Sequence, residues 1–534
     1  MKTKYIRLFQ SMVMLALVVS CTDLDVEIKS QYTEFPDSEV AAEAKASGAY
    51  FAFRGPLGDP YNQAQVLSTD ELMCYAFDNG DYYDGGRYVH LTLHSWNADD
   101  GGINYWGDLA GGITTCNQLI AELGGNESDA TAPIRAVRAF YFFILMDSFG
   151  DVPLLDHVLD DEEAIDRSPR PDIARFIESE LLAVRDRLTT NVDVATYGKP
   201  TRWMADALLA KLYLNWAVYT ASDVTAYTPT ASNSKLNDLV SVCDDVIASG
   251  KFDLSDNYAS KFIPENGPHI KDFIYVMPYD RQTQQGMTYA RFRSHRNANA
   301  DFYGVTLPAS VGGNIVVNTA FLDKFNLEGD DRNAQFIGGP LFIRSASTYQ
   351  ATDAPWMVGG QQVTLSREIV LDQVTETMPV DNTPHGGRSK GYRSIKFYMD
   401  LKTTAAQARS QSNDVPIFRF ADVLLMKAEA ILRGATATRG DTPMSLMNQI
   451  RTYVHAPLIT QDPTLEELLD ERAREFTDEN WRRNDLIRYG KFEDDWGYKN
   501  TINPTAKTAL YRRIFPIPRS VLNTNTNWSQ NPGY

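Results

Sequence analysis

The chain has 534 residues, 43% of them hydrophobic and 22% charged, with a formal net charge of -18 at pH 7. This is a globular composition, long enough for one large core or two to three ordinary domains, and it excludes a disordered or membrane-embedded chain. The acidic balance disfavours nucleic acid as a partner, because a phosphate binder needs a basic stripe.

The first element is a leader. Residues 1–20 place Lys2, Lys4 and Arg7 before an apolar run at 12–19. That run is too short to cross a bilayer, which takes roughly 20 apolar residues, and has the layout of a secretory signal peptide. Leu17-Val18-Val19-Ser20-Cys21 resembles the lipobox of bacterial lipoproteins: apolar, any, any, small, Cys. The resemblance implies a mature chain that begins at an acylated Cys21 and is anchored to a membrane rather than spanning it; the alternative is a plain signal peptide with an incidental cysteine. Loss of the leader takes 51 basic residues to 48 against 69 acidic ones, which leaves lipid rather than a polybasic patch to hold the membrane.

Residues 21–38 are polar and acidic (Asp23, Asp25, Glu27) and read as a tether. Apolar residues at helical spacing then predict helices over 133–149, where Gly150 and Pro153 supply the stop, from 205 onward, and over 422–433. A further helix over 464–476 opens on a Thr464-x-x-Glu467 capping box. A Thr/Ser/Ala-rich loop fills 217–235. From about 275 to 415 the helical period fades, with short strand-like runs such as Ile369-Val370-Leu371. The expected fold is mainly α: helical blocks at about 40–260 and 415–495 in one domain, 39–534, around a long loop-rich insertion with short strands. Cys74, Cys116 and Cys243 have no CxxC or zinc spacing and read as buried thiols, with one disulfide as the alternative.

Several segments together resemble the SusD/RagB family of Bacteroidetes surface glycan-binding lipoproteins. Trp106-Gly107-Asp108-Leu109 with Ile113 and Asn117 is similar to its W-x-x-L-x-x-x-I-x-x-x-N helix. Arg135-Ala136-Val137-Arg138-Ala139-Phe140-Tyr141-Phe142 and Phe149-Gly150-Asp151-Val152-Pro153 resemble its most typical stretch. Arg167-Ser168-Pro169, Lys199-Pro200-Thr201-Arg202, the Ile417–Ala430 segment, Glu471-Arg472-Ala473-Arg474-Glu475-Phe476 and the ending Asn531-Pro532-Gly533-Tyr534 follow in the family's order. One departure is Asn480, before Trp481-Arg482-Arg483, where the family commonly has Gly. The resemblance implies a scaffold of tetratricopeptide-like helix pairs. It also implies an oligosaccharide ligand, an outer-membrane location facing the exterior, and a SusC-like TonB-dependent transporter as partner. No cofactor, metal or nucleic acid is expected.

Arg135, Arg138, Arg419 and Glu429 lie in the helical motifs and are expected to hold helices together as ion pairs. Site candidates are sought among loop aromatics. Carbohydrate binding wants a flat ring against the sugar's C–H face, with carboxylates, amides and Arg for its hydroxyls. Asp70, Tyr82, Tyr83, Asp84, Trp96 and Asn97 supply those types within thirty residues. The segment resembles a family subgroup with Asp-Trp-x-Asp-Gly-Gly and a later His-x-Trp, Tyr82 replacing the first Trp. Trp96 also fits a second reading, as a core plug. Tyr289, Arg291, Tyr303, Trp356 and Arg393, in the insertion, complete the candidates.

Enzyme signatures are weak. Gly387-Arg388-Ser389-Lys390-Gly391 matches G-x-S-x-G but lacks the strand–turn–helix setting of a nucleophile elbow. The seven histidines form no HExxH, and the Asp/Gly run at 78–86 lacks EF-hand spacing. The expected function is non-catalytic glycan binding and delivery. Oligopeptide capture and a lipid-anchored glycoside hydrolase are the alternatives.

Overall fold

A computed structural model describes residues 39–77, 80–160 and 163–534. The leader, Cys21 and the tether lie outside the described residues, as do Asp78 and Asn79 of the Asp/Gly run. Ser47–Tyr534 form one compact unit, the second of two along the chain.

The longer helices of the second unit are α1 (Trp106–Glu122), α2 (Ala132–Phe149), α3 (Arg170–Val184), α4 (Arg202–Leu214) and α5 (Leu236–Ala248), then α6 (Phe420–Leu432), α7 (Pro443–Tyr453), α8 (Leu465–Phe476) and α9 (Arg482–Tyr489). Neighbours pack in pairs: α1 on α2, α2 on α3, α4 on α5, α5 on α6 and α6 on α7. Helix α2 is buried on almost every face, as an all-round apolar sequence requires. Gly150 ends it at φ +80°, where an added Cβ would stand 2.9 Å from Ile514. Helix α8 carries the capping box expected at Thr464 and Glu467.

Buried ion pairs bolt these helices together. Arg135 and Arg138 of α2 share Glu180 of α3 at 2.5 and 2.7 Å, and Arg138 also donates to Asn117 of α1. Lys211 of α4 meets Asp422 of α6 at 2.6 Å. Asp422 in turn accepts from Arg472 of α8, which reaches Asp485 of α9. Arg419 gathers Asp272, Glu475 and Glu479, while Glu429 is clamped by Arg488 and Arg433. Each charge is out of water but paired, which is the condition for tolerating it there. Asn480 solves the missing glycine by taking φ +73°, a left-handed conformation Asn tolerates better than most residues. Its side chain bonds Asn62 and Tyr289.

The strands are short, and among the described residues those of three residues or more are β1 (Leu72–Cys74), β2 (Phe273–Met277), β3 (Ile315–Val317), β4 (Phe342–Arg344), β5 (Ala351–Pro355) and β6 (Val415–Arg419). They form two-stranded antiparallel ribbons, β1 with β3, β2 with β6, and β4 with β5. The strand expected at 369–371 is absent: Ile369 accepts from the Tyr498 hydroxyl and Val370 is exposed, so no sheet neighbour pairs the segment. The insertion has its own apolar cluster around Phe302, Tyr303, Trp356 and Tyr398. Cys74, Cys116 and Cys243 are free and buried, and burial raises their thiol pKa values.

Candidate functional site

The candidate face forms where the loop after β1 meets the start of the insertion. Tyr82 stands at φ +62°. Its hydroxyl donates to the Gly312 carbonyl at 2.5 Å, and its own carbonyl accepts from Asn314. The Arg296 guanidinium lies 4.7 Å over the Tyr82 ring and is itself held by Asp81 at 2.9 Å. Phe77 packs edge-on from below at 5.7 Å. The ring is therefore fixed and half-buried, with part of it open to solvent. Its neighbour Tyr83 is half-exposed, edge-on to His90. Burial raises the Tyr83 hydroxyl, as do the nearby carboxylates of Glu376 and Asp100. The Asp-Gly-Gly that follows is architectural at Gly86, where a Cβ would strike the His90 ring at 2.1 Å.

Around Tyr82 the insertion gathers cations and amides. Arg388 donates to Asn297 and Asn382, each at 2.9 Å. Burial, then the Arg296 charge, lowers its pKa, with Asp81 and Tyr82 opposing. Arg291 is half-buried and lowered by burial, then by Arg409, with Tyr82 and Tyr88 nearby. His295 keeps this loop in shape: Nε2 faces the Pro384 carbonyl at 3.2 Å and Nδ1 accepts from Asn297 N at 3.1 Å. That pair of bonds suits the neutral ring, and burial pushes its pKa down to about 3. The result is a ring with planar donors and amides around it, suited to a neutral polyhydroxylated ligand by stacking and hydrogen bonding.

Of the eleven expected ligand contacts, the structure brings Tyr82 and Arg291 together, with Tyr83 and the exposed Asp84 on the same loop. Of the other seven, six are corrected by burial or by an ion pair, and the exposed Asn97 is not. Trp96 is 1% exposed, sits between His94 and Phe515, and donates to the Tyr534 hydroxyl at 2.7 Å; it is a core plug. Tyr289 is buried with its hydroxyl on the Leu57 carbonyl. Tyr303 shares a buried bond with Ser294, and Trp356 donates to Ala300 O inside the insertion's core. Arg393 is fully buried on the carbonyls of Gly313 and Ile315 and the Tyr75 hydroxyl. Asp70 is spent on a two-bond ion pair with Arg482 at 2.7 Å. Asn97 is exposed but closes its own turn onto Asp99 N.

Sequence reading missed Arg296, Arg388, Asn297 and Asn382. The cationic alternation in Arg291-Phe292-Arg293-Ser294-His295-Arg296 was the available signal. Ser389 sits in a 3-10 turn with its hydroxyl on Pro384 O, a setting unlike a nucleophile elbow. Among the described residues no three His, Cys, Asp or Glu side chains cluster as a metal site would require.

The fold and face define a class: a helix-pair scaffold, bolted by buried charge, that presents a loop-borne ring and its polar surround. Residues 271–534 match the SusD family model. Over its full length the chain is 26% identical to the starch-binding protein SusD of Bacteroides thetaiotaomicron, with both chains completely covered. Among solved structures it resembles surface glycan-binding protein A from Bacteroides thetaiotaomicron in complex with laminarihexaose. That likeness has TM-score 0.70 and 17% identity, covering 92% of this chain and 99% of that one. A laminarin-binding SusD-like protein matches at TM-score 0.67 and 20% identity, over 93% of this chain and all of that one. Residues 271–534 belong to the SusD family, and the chain as a whole resembles SusD-like proteins.

Proposed function

We propose that this chain is a non-catalytic surface protein that binds oligosaccharide at the Tyr82 face and passes it to a SusC-like TonB-dependent transporter. The observation that carries the reading is the half-buried Tyr82 ring, fixed between Arg296 and Phe77, with the neighbouring insertion supplying Arg388 and the amides of Asn297 and Asn382 that it holds. Full-length similarity to a starch-binding protein supports a glycan as the ligand class. Acylation at Cys21 would hold the protein on the outer membrane facing outward, with 21–38 as spacer. No helix among the described residues is long and apolar enough to cross a membrane.

The test is a panel of plant, algal and microbial oligosaccharides beside a mixed-peptide pool, read by calorimetry and by release of reducing ends. Binding of one glycan class without new reducing ends is expected. Selective retention of peptides would favour oligopeptide capture, and steady turnover would make the protein a glycoside hydrolase.

A further inference from the structure

A cavity lies away from the Tyr82 face, with a volume of about 260 Å³. Its walls are the 257–263 turn, residues 395–398, and the tip of the β4–β5 hairpin. None of its lining residues belongs to the Tyr82 face. The hairpin tip is held in an unusual way. Tyr349 takes φ +62°, a conformation that bulky L residues rarely adopt and that tends to persist where a site needs it. Arg344 holds the Tyr349 carbonyl with Nε at 3.0 Å and Nη2 at 2.5 Å, and Glu265 accepts from its hydroxyl at 2.8 Å. So fixed, the Tyr349 ring lies 4.6 Å from that of Tyr398, tilted by 38°.

Two wall residues carry polar atoms that the fold leaves unused. Gln335 is 5% exposed; its Nε2 donates to Arg474 O, which leaves Oε1 with no partner among the described residues. The Tyr398 hydroxyl is buried and faces the Arg344 guanidinium without a hydrogen bond of ordinary geometry. Buried polar atoms are almost always paired, and an orphan calls for a water or ligand. Of the wall's charges, Lys396 is paired with a carboxylate, whereas Arg344 holds only a neutral carbonyl. Lys396 is bound to Glu479 and Glu475 O, Arg344 to Tyr349 O, and Asp331 to His455.

A cation would find no carboxylate here beyond Asp331, a phosphate would meet a single guanidinium already held by the Tyr349 carbonyl, and an aromatic hydrocarbon would leave both orphans unpaired. A neutral ring with a C–H face and peripheral hydroxyls meets every requirement. The cavity falls just below the ~300–1,000 Å³ of pockets that take drug-sized ligands, which suits one ring rather than a chain.

We infer that this cavity is a second carbohydrate site that holds a single pyranose ring, with Tyr349 against its C–H face and its hydroxyls on Gln335 and Tyr398. The site stands independently of the Tyr82 face.

The test uses methyl glycosides of glucose, galactose, mannose and xylose, with phenol as an apolar control of similar size. Binding to the mature chain is read by saturation-transfer NMR. Three proteins are compared: wild type, Tyr82→Ala/Arg296→Ala, and Ala334→Trp, which fills the cavity mouth from an exposed position. At least one glycoside should bind the first two proteins alike and bind Ala334→Trp at least tenfold more weakly. Should Ala334→Trp melt early, Thr348→Trp at the exposed hairpin tip takes its place. Gln335→Leu should weaken the same glycoside while leaving phenol unaffected. No glycoside signal from wild type, a signal lost only in the Tyr82 variant, or phenol binding the cavity in place of sugars would each overturn the inference. Because long-chain capture is measured at the other face, either proposal can fail without the other.

Discussion

Replacing Trp96 with alanine separates a stacking ring from a core ring. The indole is 1% exposed and fills the space between His94 at 4.8 Å, Phe515 at 5.1 Å and the Arg512 guanidinium at 5.3 Å. Its N–H donates to Tyr534, whose own hydroxyl reaches Ile514 O. The substitution therefore removes a whole buried ring and one anchor of the C-terminus. Large-to-small changes of this kind cost about 3–5 kcal/mol. With about 2.1 cal/mol/K per residue of unfolding entropy, the compact unit carries roughly 1 kcal/mol/K, so Tm should fall by about 3–5 °C. Glycan affinity should be unchanged at temperatures where the variant is folded. Calorimetric unfolding and glycan titration on the same preparation read both quantities. An unchanged Tm with binding weakened tenfold or more would refute the assignment and return Trp96 to the ligand surface.

Glu429→Gln keeps the shape of a fully buried side chain but strips the counter-charge from Arg488 and Arg433; denaturant unfolding should show a loss of about 3–5 kcal/mol. His295 is neutral when folded, its pKa lowered by burial from 6.5 to about 3. Between those values the unfolded chain binds the extra proton, so wild type should lose stability as pH falls from 6.5 towards 3. Relative to His295→Gln, denaturation measured at several pH values should show a slope approaching about 1.4 kcal/mol per unit; a flat difference would contradict it. Cys21→Ala with the leader cleaved should leave a folded protein in the soluble fraction, since lipid burial is the proposed anchor. Retention of that variant in the membrane fraction would contradict the anchor.

The scaffold was legible because its signals are local. Residues 133–149 are apolar at every turn, Thr464 and Glu467 cap a helix three residues apart, and a charged residue in such a setting, such as Arg138 or Glu429, has to be paired. The site was less legible because a ring's exposure is decided by residues far along the chain. Trp96 is covered by Tyr534, 438 positions on, and Tyr289 is tied to Leu57, 232 positions back. Arg393 looks like any loop arginine until the carbonyls of Gly313 and Ile315 converge on it. Tyr82 kept part of its ring open because its hydroxyl and one face were satisfied by the neighbouring insertion. The run from Arg291 to Arg296 marked a cationic stretch, but its spacing does not reveal that Arg296 is the one over the Tyr82 ring, and Arg388 gave no signal.

The central claim is that the Tyr82 face binds glycan. Its most direct measurement is calorimetric titration of the preferred oligosaccharide into wild type, Tyr82→Ala and Arg296→Ala. A partly exposed aromatic contact is worth about 1–3 kcal/mol, so Tyr82→Ala should bind roughly tenfold to hundredfold more weakly. Arg296→Ala should weaken binding in the same direction by freeing the ring it holds. Both variants should retain wild-type unfolding temperatures to within about a degree, as surface changes do. Undiminished affinity in both variants would contradict the claim and move the binding face elsewhere on the protein.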